Sequence, residues 1–258
     1  MKKYIYLVIF LLFLAVPVWD VESADQFFPN KSGGANQGVK MLSATPHEIK
    51  SFPELSGFLL RESLADWRLW RETEESLLLR RALLNVDSSL SIDAGESEAW
   101  FLQGMLYSEL KGDRLAQERA LASFIRCIEI NPEHGRGQFM TALKLRELGR
   151  FDLAAAQYRF IMDKDAAMVN GLNITNLALS YLGAGKGAAG IAYFQDMIKR
   201  YPGNADLRTA LAVLLKAGWK PEDARNELIF VITDVSAAEA KRESARKLLE
   251  QWKSEVKQ

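Results

Sequence analysis

The sequence predicts an all-α fold, a right-handed α-solenoid of helix-turn-helix repeats that ends in a capping helix. Small residues recur with a larger apolar residue four positions later, at intervals of 34, 36 and 34 residues: Ala120 and Phe124, Ala154 and Tyr158, Gly190 and Phe194, Ala224 and Leu228. A glycine suited to a tight turn stands shortly before each pair: Gly112, Gly149, Gly185 and Gly218. Pro132 and Pro202 follow two of the pairs and separate one helical unit from the next.

Composition argues against several classes of function. The 258 residues contain 33 basic and 33 acidic side chains, so we expect no nucleic-acid partner. His47 and His134 are far apart in sequence, and Cys127 is the single cysteine, so we expect no metal site, no cofactor and no intrachain disulfide. Neither a phosphate-binding glycine loop nor a nucleophile motif is present, so the chain is not expected to be an enzyme.

Residues 1–24 read as a membrane anchor or signal peptide. Lys2 and Lys3 precede the uncharged run 4–19, and acidic residues follow it. Sixteen residues rise about 24 Å as a helix, and snorkelling lysines can make up the rest of a bilayer's ~30 Å core. We favour an uncleaved inner-membrane anchor facing the periplasm; cleavage after Ser23 or Ala24, giving a secreted or periplasmic protein, stays open.

Two segments lead into the repeats. Residues 25–54 are rich in turn residues and predict a flexible linker. Residues 55–96 carry apolar residues at helical spacing, with a polar break at 71–76, and predict two helices that form a degenerate repeat. Trp67 and Trp70 lie three apart in this region; we expect them in the core, the alternative being a ligand platform.

Residues 97–234 contain four repeats with a recognisable signature. The first has Trp100, Gly104, Tyr107, Ala120, Phe124 and Pro132, and the third has Leu177, Ala178, Tyr181, Gly190, Phe194 and Pro202. This pattern resembles that of tetratricopeptide repeat (TPR) proteins. The small residues are expected where paired helices cross, so they are architectural.

The repeats also depart from the pattern. Thirteen residues separate Tyr107 from Ala120, which predicts either a longer turn or a longer second helix. The segment 219–222 replaces the usual turn of the fourth repeat, with Pro221 placed to begin a helix. In residues 235–258, Ser236 and Glu239 have capping-box spacing, which predicts a capping helix that runs to about Lys253.

The resemblance implies a concave groove lined by the first helix of each repeat. Counting along these helices assigns it ten residues, the predicted groove: Phe101, Met105, Arg136, Phe139, Leu143, Arg146, Thr175, Leu179, Asp206 and Thr209. Such a surface suits a peptide or helix of another protein. The alternative is that the lead-in helices of the same chain fill it.

These features predict a non-catalytic scaffold for protein–protein interaction in a bacterial envelope assembly. Polysaccharide biosynthesis or export is the context we favour, and pilus, secretion or cytochrome-maturation machinery is the alternative. A third hypothesis is a periplasmic glycan-binding protein that uses Trp67, Trp70 and Trp100.

Overall fold

A computed structural model describes residues 52–255, and these residues form two compact units. The N-terminal unit ends at Lys144 and the C-terminal unit begins at Leu145. Four helices precede the boundary, and a fifth crosses it: α1 (Phe52–Thr73), α2 (Ser76–Ile92), α3 (Ser97–Glu109), α4 (Arg114–Ile130) and α5 (Gly135–Glu147). The predicted anchor and most of the predicted linker lie outside the described residues.

The C-terminal unit continues with six helices and one turn of 3₁₀-helix at Ala166–Met168: α6 (Phe151–Lys164), α7 (Gly171–Gly183), α8 (Gly187–Arg200), α9 (Ala205–Ala217), α10 (Pro221–Thr233) and α11 (Glu239–Glu255). Within this unit each helix packs on the next, and α9 also contacts both α7 and α11. The described part of the chain is therefore all-α, made of helix-turn-helix repeats with a final capping helix, as predicted.

Close helix crossings explain the small residues. A Cβ on Gly104 would lie 2.5 Å from the ring of Phe124, and one on Gly190 would lie 2.9 Å from Tyr181 and Leu214. Ala120 and Ala154 are completely buried. The small side chains thus let large apolar groups fill the space between helices, which confirms their architectural role.

Three of the four glycine turns have the expected backbone. Gly112, Gly149 and Gly185 have φ of 88°, 75° and 68°, the left-handed region that glycine enters without steric cost. The prediction for Gly218 is wrong, because its φ is −83° and Trp219 has φ of 60° instead. Pro221 begins α10, as predicted.

Two further expectations are settled in the neighbouring segments. The extra residues after Tyr107 lengthen α4, which has 17 residues where α6 has 14. The predicted capping box is wrong: α11 begins at Glu239, and Ser236 donates its backbone N–H and its hydroxyl to the Asp234 carboxylate at 2.9 and 2.6 Å. These hydrogen bonds lower the pKa of Asp234.

The polar break at 71–76 becomes the turn between α1 and α2, with Glu74 at φ of 56°. The degenerate repeat is thus a helical pair, as predicted. Serines bond its two helices: Ser63 donates to the carbonyl of Ala82 at 2.8 Å, and Ser89 donates to that of Ser56 at 3.0 Å.

Candidate functional site

Phe101 and Arg136, two members of the predicted groove, lie together in the N-terminal unit. The Phe101 ring is 1% exposed, with its centroid 5.8 Å from that of Phe124 and 5.0 Å from the His134 imidazole. The Arg136 guanidinium stands 4.8 Å from the ring centroid. Phe101 is therefore a core residue covered by a cation–π contact, and a partner cannot reach it without local opening.

Arg136 belongs to a polar cluster at the start of α5. It donates to Glu98 at 2.6 Å, and His134 Nε2 lies 3.1 Å from the same carboxylate. His134 Nδ1 accepts from the backbone N–H of Gly137 at 2.8 Å, so this nitrogen carries no proton and Nε2 is the donor. The hydrogen bond from His134, together with the Arg136 charge, lowers the pKa of Glu98. Both ring nitrogens are engaged, so His134 acts as a helix cap.

The remaining members in this unit are also buried. Met105, Phe139 and Leu143 are each less than a tenth exposed. The lead-in pair lies close by: α1 contacts α3, and Trp67 Nε1 donates to Glu109 at 3.2 Å. The N-terminal part of the predicted groove thus presents little apolar surface to solvent.

A buried lysine stabilises the turn after α3. Lys144 on α5 donates to Gln117 Oε1 at 2.8 Å, although the residue is 4% exposed. The amide of Gln117 in turn donates to backbone carbonyls of that turn, including Leu110 at 3.0 Å. The chain of bonds links α5, α4 and the turn, which is a structural role.

In the C-terminal unit, α7 presents an apolar side to solvent. Thr175 and Leu179 of the predicted groove lie on it with Leu172 and Leu182, at the spacing of one helix face. Leu172 is 44% exposed, Thr175 and Leu182 are half-buried, and Leu179 is 8% exposed. These four residues are named the α7 face.

Two asparagines border the α7 face. Asn176 is four residues after Leu172 and three before Leu179, so it projects from the same side of the helix. Its amide Nδ2 is buried and has no hydrogen-bond partner in the described part of the chain, and neither has Oδ1 of Asn173. Asn173 is held in place because its own Nδ2 donates to the carbonyl of Met168 at 2.8 Å. One donor and one acceptor are therefore left unused beside the face.

The capping helix engages the start and end of α9. Asp206 of the predicted groove pairs with Lys241 at 2.7 Å, and Lys216 pairs with Glu255 at 2.5 Å. The α9 and α11 helices therefore run side by side in the same direction. Thr209 donates its hydroxyl to the carbonyl of Ala205 in its own helix at 2.9 Å. Asp206 is thus used in an internal ion pair.

Arg146, the last member of the predicted groove, is half-buried near the phenol of Tyr158. Burial raises the pKa of Tyr158, and the charge of Arg146 partly opposes this shift. Tyr158 is completely buried, so Arg146 lies against the core of its unit.

Several chemical hypotheses meet the geometry of the described residues. Trp67 is 1% exposed, so it is a core residue, as predicted, and cannot serve as an open sugar platform. Cys127 is buried, and burial raises the pKa of its thiol to about 12, which keeps it protonated at neutral pH. Residues 52–255 contain no group of three or more potential metal ligands. No helix in that range is long and apolar enough to cross a bilayer.

Known structures resemble this chain in fold. A structure described as the MamA RS-1 ArsTM double mutant matches with a TM-score of 0.54 at 16% identity, covering 76% of this chain and 97% of the other. A second MamA crystal structure matches with a TM-score of 0.53 at 12% identity, covering 68% and 89%. YrrB, described as a TPR protein with an unusual peptide-binding site, matches with a TM-score of 0.51 at 18% identity, covering 77% and 98%.

The chain has the tetratricopeptide-repeat fold. At these identities the likeness extends to the fold alone. No protein-family model and no curated protein matched the sequence.

Sequence reasoning missed three features of the site. The pairing of Glu98 with His134 and Arg136 joins residues that are 36 and 38 positions apart, a separation close to the repeat period that could have suggested it. Asn173 was overlooked, although the N-cap spacing from Asn170 was visible in the sequence. The backbone of Trp219 had a signal as well, since the fourth repeat has no glycine where the other turns do.

Proposed function

We propose that the protein is a non-catalytic scaffold that binds a segment of another protein on the α7 face. The observation that carries the proposal is the combination of apolar side chains at Leu172, Leu179 and Leu182 with the unused donor of Asn176 and acceptor of Asn173. The peptide-binding site in the description of YrrB, a protein of the same fold, supports a peptide as the kind of ligand.

The unused polar groups favour a polypeptide over a purely apolar ligand. A buried amide without a partner costs about 1–3 kcal/mol. A main-chain carbonyl of a bound segment accepts from Asn176 Nδ2, and a main-chain N–H donates to Asn173 Oδ1, once a small local opening exposes them. Apolar side chains of the same segment then cover Leu172 and Leu182.

Panning a random peptide library against the full chain tests the proposal. Peptides that bind are expected to be apolar and uncharged at their centre. Leu172→Glu is expected to weaken them at least tenfold, because it places a charge on an exposed part of the face. Leu77→Glu is the matched control: Leu77 is 61% exposed in the N-terminal unit, and this variant should bind as the wild type does.

Asn176→Leu separates the polar from the apolar contribution. This variant keeps the shape of the side chain and removes the donor, so bound peptides should weaken while the fold remains intact. A library that returns no binder, or binders that are equally tight to Leu172→Glu, would contradict the proposal. Phe101→Glu and Leu143→Glu are less informative because both residues are buried.

We further propose that the scaffold is held at the periplasmic side of the inner membrane by residues 4–19 and serves an envelope assembly, polysaccharide biosynthesis or export being the favoured context. The charge pattern around this segment supports the proposal. A reporter that is active only in the cytoplasm, fused after Gln258, should be silent. An active reporter would overturn this placement and leave the peptide-binding proposal untouched.

A further inference from the structure

The turn between α9 and α10 has the same backbone as the glycine turns before it. Gly149 donates to the carbonyl of Arg146 at 3.0 Å and Arg150 to that of Leu145 at 2.8 Å. Trp219 and Lys220 repeat both bonds, to Lys216 at 3.1 Å and to Leu215 at 2.9 Å. This is the Schellman arrangement, in which the residue with positive φ is usually glycine. Trp219 therefore occupies a glycine position.

Tryptophan is costly at this position for two reasons. The left-handed backbone crowds any Cβ, and the indole of Trp219 is 81% exposed to water. Pro221 and the hydrogen bonds of the turn would be equally compatible with glycine. A residue that weakens the local fold without packing against it indicates a contact made outside the described molecule.

The surroundings of Trp219 are basic and belong to one edge of the C-terminal unit. The residues directly before α6, α8 and α10 are Arg150, Lys186 and Lys220, and all three are exposed. Lys186 pairs with Asp152 at the start of α6 at 2.9 Å, so the first of these turns adjoins the second. A Cβ on Gly218 would lie 3.6 Å from Ile191 in the first turns of α8, so the third is adjacent too. Leu153 adds a second exposed apolar group, 58% exposed.

We propose that this edge, the Trp219 edge, docks on the surface of an anionic lipid bilayer. Trp219 enters the headgroup region, where an indole can bury its ring and keep its N–H hydrated, and the three basic residues face lipid phosphates. The proposal is independent of the peptide-binding proposal, because the Trp219 edge is made of turns while the α7 face lies along a helix.

The charge and shape of the edge favour a bilayer over a protein pocket. Aromatic anchors of protein interfaces are surrounded by further apolar contacts that exclude water. Trp219 is flanked instead by Lys220 and by Glu222, which pairs with Arg225 at 3.2 Å. An isolated protruding indole with basic neighbours is the arrangement found in interfacial membrane contacts.

Tryptophan fluorescence of the full chain tests the proposal. Vesicles of phosphatidylcholine and phosphatidylglycerol with brominated acyl chains quench an indole that enters the bilayer. The wild type should lose more emission than Trp219→Gly, by up to the share of one tryptophan in six. Trp19 in the predicted anchor contributes equally to both proteins and cancels. Pure phosphatidylcholine vesicles should abolish the difference, and so should Lys220→Glu.

Folding of the variant is verified independently. Trp219→Gly relieves the backbone, so its melting temperature should rise by about 2–4 °C. Equal quenching of wild type and Trp219→Gly in anionic vesicles would overturn the proposal. A difference that persists without phosphatidylglycerol would overturn it as well, because the anionic lipid would then play no part. Loss of a protein ligand in Trp219→Gly with unchanged quenching would assign the edge to a protein and refute the bilayer contact.

Discussion

The two units use polar side chains in opposite ways. In the N-terminal unit buried polar groups join helices: Ser63 bonds the lead-in pair, Lys144 bonds Gln117, and His134 bonds Glu98. In the C-terminal unit two buried asparagines keep unused hydrogen-bonding atoms, and the ion pairs between α9 and α11 are partly exposed. The surface differs too, since Trp219 and Phe230 of the C-terminal unit are 81% and 47% exposed.

This difference separates structural from binding roles within one repeat architecture. Satisfied buried bonds hold helices in one arrangement and leave nothing for a ligand. Unsatisfied ones are tolerated where a partner or water completes them. The C-terminal unit is therefore where we expect binding, and four measurements can test the contrast.

The largest effect should come from equivalent core aromatics. Phe124 and Phe194 are both completely buried at corresponding positions of their repeats. Phe124→Ala and Phe194→Ala should each lower the free energy of unfolding by about 3–5 kcal/mol, because both leave a large cavity. Urea denaturation measures this. Losses that differ strongly would show that the units differ in their apolar cores as well as in their polar bonds.

A matched pair of polar replacements should give the sharpest contrast. Lys144→Met should cost about 1–3 kcal/mol, since Gln117 loses its donor in a part-buried position. Asn176→Leu should cost nothing or raise stability by up to about 1 kcal/mol, because the amide it removes has no partner for its N–H. The same denaturation series checks both. Equal losses from the two variants would remove the distinction between the units.

A reciprocal exchange in the turns should show a smaller effect. Trp219→Gly should stabilise the protein by about 1 kcal/mol, and Gly185→Trp should destabilise it by a similar amount, because each changes the strain of one left-handed residue. No atom lies within 4 Å of a Cβ built on Gly185, so the backbone alone is tested. Unchanged stability in both variants would mean that Trp219 carries no strain.

The smallest effect concerns pH. The pKa of Glu98 is lowered in the folded state, so its contribution is present above the ordinary pKa of about 4.3 and is lost as the pH falls through the lowered value. The side chain is 45% exposed, and solvent screening limits the effect to less than about 0.5 kcal/mol. Stability measured from pH 6 to pH 3 should fall less steeply in Glu98→Gln than in the wild type. Identical slopes would show that the Glu98 cluster is not electrostatically coupled to folding.

The predicted groove shows where sequence reasoning reaches its limit. Helical counting placed Phe101, Leu143 and Leu179 on inward sides, and the structure buries all three. An apolar residue at a given helical position is accessible or buried according to which neighbour covers it. The counting could not foresee that Arg136 lies over Phe101 or that Lys241 pairs with Asp206. The assignment of these residues to partner binding stays a prediction.

The sequence by itself determined the all-α class, the repeat period, the small residues at helix crossings and most of the turns. These features depend on local rules, since periodic apolar spacing, glycine at positive φ and proline at helix starts act within a few residues. Tertiary structure alone decided which polar groups are bonded, that Trp219 and not Gly218 has the left-handed backbone, and which side of α7 stays open. Those outcomes depend on contacts between residues far apart in the chain, where competing local preferences are resolved by packing.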